Sequence, residues 1–255
     1  MHRADTLGDL DWRVCVPGTP WVGRAPARGI LLLCFPGAGK GSVMYHRWQE
    51  EGLDPLAVRL PGRESRFGEP AATEVAELAD EAAEALFPLA DRPFAIFGHS
   101  MGALVGFEVA RRLAARGRPP RRLFVSAGPA PHLPSPHRLR ARGLSDEELL
   151  AAARRAFDSI ADAVPEDRRL LGPLLRPLRA DLAMVERYRH CPTPPMSFPI
   201  TAFAGREDSY TPVDEIREWR VQTSADFRLR VFPGGHFYLD ECRRELLRDI
   251  RSDLV

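Results

Sequence analysis

Three short segments of this 255-residue chain carry side chains suited to covalent chemistry. The first, Phe94-Ala-Ile-Phe-Gly98-His-Ser100-Met-Gly102-Ala-Leu-Val-Gly-Phe-Glu-Val109, sets a serine between two glycines, after an apolar run and before an amphipathic one. A strand, a sharp turn and a helix in that order hold the serine in strained backbone with its hydroxyl projecting above a sheet. Side chains at positions 98 and 102 would collide with neighbouring backbone in so tight a turn. The helix that opens there offers free amides and a positive dipole end to developing negative charge. A serine hydroxyl is a weak nucleophile until a base takes its proton, and the other two segments supply the partners. Pro199-Ile-Thr-Ala-Phe-Ala-Gly205-Arg-Glu-Asp208 reads as a strand running into an acidic loop. Arg228-Leu-Arg-Val-Phe-Pro-Gly234-Gly-His236-Phe237 reads as a last strand, a glycine turn and a histidine. His236 is the expected general base and Asp208 the acid that orients its ring and stabilises the imidazolium. Glu207 is the rival acid, and the shorter side chain on a post-strand turn favours Asp208. The remaining histidines, His2, His46, His99, His132, His137 and His190, lack such a setting; His99 is the variable residue of Gly-x-Ser-x-Gly.

A fourth segment, Cys34-Phe-Pro-Gly-Ala-Gly-Lys-Gly-Ser42, invites a phosphate-binding reading because it follows a buried-strand pattern and holds Lys40. A P-loop needs a glycine where Cys34 stands and a hydroxyl where Gly41 stands, so the pattern fails at both. An acyl-transfer site, by contrast, needs two backbone amides aimed at an oxyanion. Met101, next to the nucleophile, supplies one; Ala38, in this glycine-rich loop, is the expected second.

These residues require a scaffold that delivers strand ends to one place. Short apolar runs predict strands over Ile30–Phe35, Pro55–Arg59, Phe94–Phe97, Leu123–Ser126, Ile200–Ala204 and Arg228–Phe232. Helical spacing covers Glu74–Leu89, Ala103–Arg116 and Glu241–Leu254. The alternation predicts one α/β domain over 1–255, a mainly parallel sheet flanked by helices, with catalytic groups at the carboxyl ends of its strands. Residues 132–195 interrupt it: no strand pattern, proline clusters at both ends, and Ser145-Asp-Glu-Glu148 at capping-box spacing. That reads as a helical lid subdomain inserted between two strands.

Composition narrows the class. A formal net charge of +1 gives no global case for nucleic acid or an anionic membrane. The arginine-rich pairs, Arg121-Arg122 and Arg243-Arg244, read as solvated faces. Four cysteines, Cys15, Cys34, Cys191 and Cys242, show no metal-ligand spacing, and Cys34 reads as a small core residue. With no export signal or apolar span in the sequence, a soluble, cytoplasmic protein without cofactor or metal is expected.

Across nearly the whole chain the motifs resemble those of type II thioesterases, the free-standing editing hydrolases of polyketide and nonribosomal peptide synthases. They are Phe35-Pro-Gly-Ala-Gly39, Leu60-Pro-Gly-Arg-Glu64 with Glu69-Pro70, and Gly98-His-Ser-Met-Gly-Ala103. Leu178-Arg-Ala-Asp181, Gly205-Arg-Glu-Asp208 with Trp219, and Pro233-Gly-Gly-His-Phe237 complete the series. The resemblance implies an α/β-hydrolase fold, a Ser100–Asp208–His236 triad and oxyanion amides at Ala38 and Met101. It further implies hydrolysis of acyl groups from the phosphopantetheine arm of acyl or peptidyl carrier proteins; a monomer is expected. Gly37 and Lys40 depart from the family pattern, which bears on the mouth of the acyl pocket. From the residues alone, Leu60–Glu64 is a turn with an exposed charge pair. Two other functions share the motifs: a small-molecule carboxylesterase or lipase, and a catalytically silent scaffold of the same fold.

Overall fold

The computed structural model describes residues 19–22, 30–48, 53–134, 139, 141–157 and 171–255, so His2, Cys15 and His137 lie outside the described residues. Among the described residues six strands pair in parallel in the order β2-β1-β3-β4-β5-β6. They are β1 Ile30–Phe35, β2 Leu53–Ala57, β3 Phe94–His99, β4 Leu123–Ser126, β5 Ile200–Gly205 and β6 Phe227–Phe232. Around them lie α1 Val75–Leu86, α2 Met101–Ala115, α3 Asp146–Ala156, α4 Leu171–Arg187, α5 Val213–Arg217, α6 Tyr238–Glu241 and α7 Arg243–Leu254.

The departures from the predicted boundaries have local causes. β2 starts two residues earlier than expected, with Pro55 inside it. An edge strand tolerates this, because its outer side needs no N–H donor. It ends early because Arg59 turns its N–H to Trp21 O, 2.6 Å away, just after Val58 makes the last bond to Cys34 O. The predicted Glu74–Leu89 helix gives way at Phe87 to a 3-10 turn, Phe87–Asp91. Pro88 has no N–H for the Glu84 carbonyl, so the α-helix cannot continue. The C-terminal helix breaks at Cys242 into α6 and α7.

The central strands β1, β3, β4 and β5 are almost wholly buried, since apolar layers cover both sheet faces. One layer gathers residues of α1, α2 and α5 with Trp219; the other gathers Trp48, Tyr238 and the Leu246, Leu247, Ile250, Leu254 stripe of α7. A third apolar cluster lies apart, built from α3 and α4 by Leu149, Leu150, Ala153, Phe157, Leu175, Leu178 and Leu182. It rests against Ala38, Tyr210 and Phe237. The described residues of 132–195 contain no strand. Its first helix opens with the predicted capping box: Ser145 Oγ accepts from Glu148 N at 3.2 Å, and Glu148 accepts from Ser145 N at 2.7 Å. Such a cap contributes about 1 kcal/mol. Among the described residues no helix is long and apolar enough to cross a membrane.

From β1 the chain turns to β2 on one side, and from β3 it turns to β4 on the other. The crevice above the carboxyl ends of β1 and β3 is therefore the switch point where parallel sheets bind ligands.

Candidate active site

Both loops at that switch point are ones the sequence singled out. Ser100 stands between β3 and α2 with φ 54° and ψ −119°, the strained backbone expected of a nucleophile turn. Its N–H donates to Ser126 O at 2.7 Å. The flanking glycines are required sterically. A Cβ on Gly98 would lie 2.1 Å from Gly102 O, and one on Gly102 would lie 2.1 Å from Phe35 O. α2 begins at Met101, two residues earlier than predicted, so its first amide directly follows the serine.

Asp208 lies just beyond β5 and His236 just beyond β6; both are buried. Nδ1 of His236 donates to Asp208 Oδ2 at 2.8 Å. Asp208 Oδ1 accepts from the N–H groups of Tyr210 at 2.9 Å and Thr211 at 3.0 Å. The carboxylate is thereby held in one orientation, and it fixes the His236 proton on Nδ1. Glu207 points elsewhere: it is exposed and accepts from Gly234 N at 2.5 Å, tying the acidic loop to the histidine loop. Nε2 of His236 is buried without a hydrogen-bond partner among the described residues, so it is not bonded to the Ser100 hydroxyl. Such a bond is often loose until substrate binds.

Ser100, Ala38 and Met101 line one cavity of about 600 Å³, within the usual range for a small-molecule site. Leu104, Phe157, Leu182 and Val185 provide apolar wall, and Phe157 and Tyr210 also pack on His236 with ring centroids 4.8 and 5.3 Å away. His132 and His190, which the sequence set aside, line this cavity too. Lys40, the lysine of the glycine-rich loop, holds its Nζ 4.9 Å from the centre of the Phe237 ring.

Several buried polar groups escaped sequence reasoning. His99 is fully buried, with Nδ1 3.0 Å from Ser126 Oγ, which is itself 2.6 Å from the Tyr238 hydroxyl. Burial, reinforced by His236 and Lys40, holds His99 well below the usual histidine range, so it is neutral. Burial also drives the Tyr238 hydroxyl and the Cys34 thiol upward, leaving both protonated. Arg63 corrects the expectation of an exposed pair at Leu60–Glu64. Glu64 is exposed, but Arg63 is 6 % exposed and forms a forked ion pair with Asp181 at 2.5 and 2.7 Å. Arg122, expected on a solvated face, is likewise buried, donating to Thr201 Oγ1 and Asp226 at 3.0 Å each. The available signal was a charged residue inside an otherwise apolar or glycine-rich motif; the partners are too remote in sequence to infer.

Comparison with known proteins gives the family and the fold. Residues 31–254 match the thioesterase domain family. The chain is 38 % identical to thioesterase PikA5 of Streptomyces venezuelae over 243 residues, covering 92 % of this chain and 85 % of that one. Among solved structures, RedJ, a thioesterase of the prodiginine pathway of Streptomyces coelicolor, superposes with TM-score 0.82 at 36 % identity, covering 89 % of this chain and 91 % of that one. YbtT, a type II thioesterase from the yersiniabactin NRPS/PKS pathway, gives TM-score 0.79 at 30 % identity, covering 90 % and 95 %.

Proposed function

This chain belongs to the thioesterase family and has its α/β-hydrolase fold, and from that we propose that it is a serine hydrolase of acyl-phosphopantetheine thioesters. Its substrates in this reading are acyl or peptidyl carrier proteins of a polyketide or nonribosomal peptide synthase, from which it clears stalled or aberrant acyl units. The observation that carries the reading is the shared cavity: Ser100, Ala38 and Met101 meet there beneath apolar side chains of α4 and Phe157.

The mechanism follows from the groups in place. His236 Nε2 takes the Ser100 proton as Oγ bonds to the acyl carbon. The charge that develops on the carbonyl oxygen is received by the Ala38 and Met101 amides. Collapse breaks the carbon–sulfur bond, and the thiolate leaves with the proton from His236. Water, deprotonated by His236, then attacks the Ser100 ester; the bond from the acyl carbon to Oγ breaks, His236 returns the proton to Oγ, and the carboxylic acid is released. Asp208 holds Nδ1–H and stabilises the imidazolium in both halves. One chain supplies every group. In this reading the segment 132–195 acts as a lid: Leu182 and Val185 of α4, with Phe157 just after α3, line the cavity, and the phosphopantetheine arm must pass them to reach Ser100.

The test compares kcat/KM for one acyl group on a carrier protein, on coenzyme A and as a simple oxyester. The reading predicts the carrier protein to be the best substrate and the oxyester the poorest. Equal values for carrier protein and coenzyme A at low salt would remove the partner. An oxyester preference would replace the function by that of a carboxylesterase.

A further inference from the structure

We propose that Arg63 and Asp181 are positioning residues for the oxyanion loop, so that the aim of the Ala38 amide depends on the seating of α4. The inference rests on the assignment of Ala38 as an oxyanion donor. Asp181, on α4, accepts three hydrogen bonds: two from the Arg63 fork and one from Gly39 N–H at 2.8 Å. Nη1 of Arg63 donates in addition to Lys40 O at 2.9 Å. The pair therefore grips an N–H and a C=O on the two residues that follow Ala38. Lys40 N–H closes the turn onto Gly37 O at 3.0 Å. Gly37 C=O and Ala38 N–H belong to one peptide plane and point in opposite directions. Holding the carbonyl thus sets the direction of the amide.

α4 also controls the loop by contact. Gly39 has φ +71°, and a Cβ there would lie 2.8 Å from Leu178 Cβ, so the loop is seated directly on the helix. From the other side Glu64 accepts from Ser42 N and Oγ at 3.0 and 2.8 Å. Stability alone does not explain the ion pair. Both side chains are about 95 % buried, and apolar residues of similar volume often stabilise a core as well or better. The residue after Asp181, Leu182, lines the acyl cavity. An acyl chain that fits under α4 leaves the brace closed; one that displaces the helix pulls on Gly39.

The experiment uses the full chain as parent, Asp181→Asn, Arg63→Lys and the double variant Arg63→Met/Asp181→Leu. For each, Tm, kcat and KM on a short acyl thioester, and the rate of fluorophosphonate labelling of Ser100 are measured. Outright loss of one oxyanion donor costs about 100- to 1000-fold in kcat, so misaiming it in Asp181→Asn should cost roughly 10- to 1000-fold. KM should stay within a few-fold, and labelling should slow in parallel. Arg63→Lys keeps the charge but loses the fork, and should give a smaller loss of kcat near the parental Tm. The double variant should regain the parental Tm while kcat stays low, since Gly39 N–H still lacks its acceptor. Recovery of kcat together with Tm would reduce the pair to a structural role and overturn the proposal, as would folded Asp181→Asn or Arg63→Lys with parental kcat. If Asp181→Asn does not fold, the other two variants decide by the same criteria. A parent that is not labelled at Ser100 would instead refute the proposed function itself.

Discussion

Asp208→Asn separates an orienting carboxylate from a neighbouring charge. In the parent, Oδ1 accepts from two backbone N–H groups, of Tyr210 and Thr211, while Oδ2 faces His236 Nδ1. An asparagine must keep its carbonyl oxygen on the two N–H donors, because its amide group there would meet donors only. Its NH2 then faces His236 and donates to Nδ1. The imidazole is driven to the tautomer with its proton on Nε2, where it cannot accept from Ser100. Loss of the correct tautomer in such a triad lowers kcat by about four decades, roughly 5.5 kcal/mol of transition-state stabilisation. Glu207→Gln should stay within a few-fold, since a glutamine carbonyl can still accept from Gly234 N–H. The assay is kcat on an acyl thioester, with circular dichroism to establish that both variants fold. Folded Asp208→Asn within ten-fold of the parent, or a larger loss in Glu207→Gln, would refute the reasoning.

Burial keeps His99 neutral below its usual 6.5; under about pH 6.5 the unfolded chain therefore binds a proton that the folded chain refuses. Stability should fall with acid there, at up to about 1.4 kcal/mol per pH unit from this group. His99→Gln should flatten the urea-midpoint profile between pH 6.5 and 5, and an unchanged slope would contradict it. Lys40→Ala should leave kcat within a few-fold, because its side chain lies over Phe237 and the oxyanion contact is a backbone amide; magnesium-dependent ATP binding lost in this variant would contradict that. Val185→Phe should fill part of the cavity wall and lower kcat/KM for long acyl groups about 10- to 100-fold against short ones. Fluorophosphonate labelling of Ser100 should change far less; an unaltered acyl preference would count against α4 as the roof.

The sheet was largely readable because its inner strands are buried on both faces and appear as continuous apolar runs, as in Leu31–Phe35 and Phe94–Phe97. β2 was misplaced because Pro55 marks a boundary in most contexts and only an edge position removes its cost. The groups around Ser100, Asp208 and His236 were legible for another reason: turn chemistry ties each to a strand end, where local sequence determines geometry. The ion pair of Arg63 with Asp181 joins residues 118 apart, and Gly39 meets Asp181 across 142. No local pattern encodes such partners. The same holds for His99, whose environment is built by Ser126 and by His236 and Phe237 from the far end of the sheet. In the motif His99 is a free position, and only packing shows that it is buried and neutral beside His236.

The most direct test of the account is rapid-quench mass spectrometry of the parent mixed with a carrier protein bearing a slowly hydrolysed acyl group. An acyl adduct should appear on Ser100 before free acid accumulates, decay as the acid is released, and be absent from Ser100→Ala. Turnover with no adduct, or an adduct on Cys34 or another serine, would contradict Ser100 as the residue that receives the acyl group.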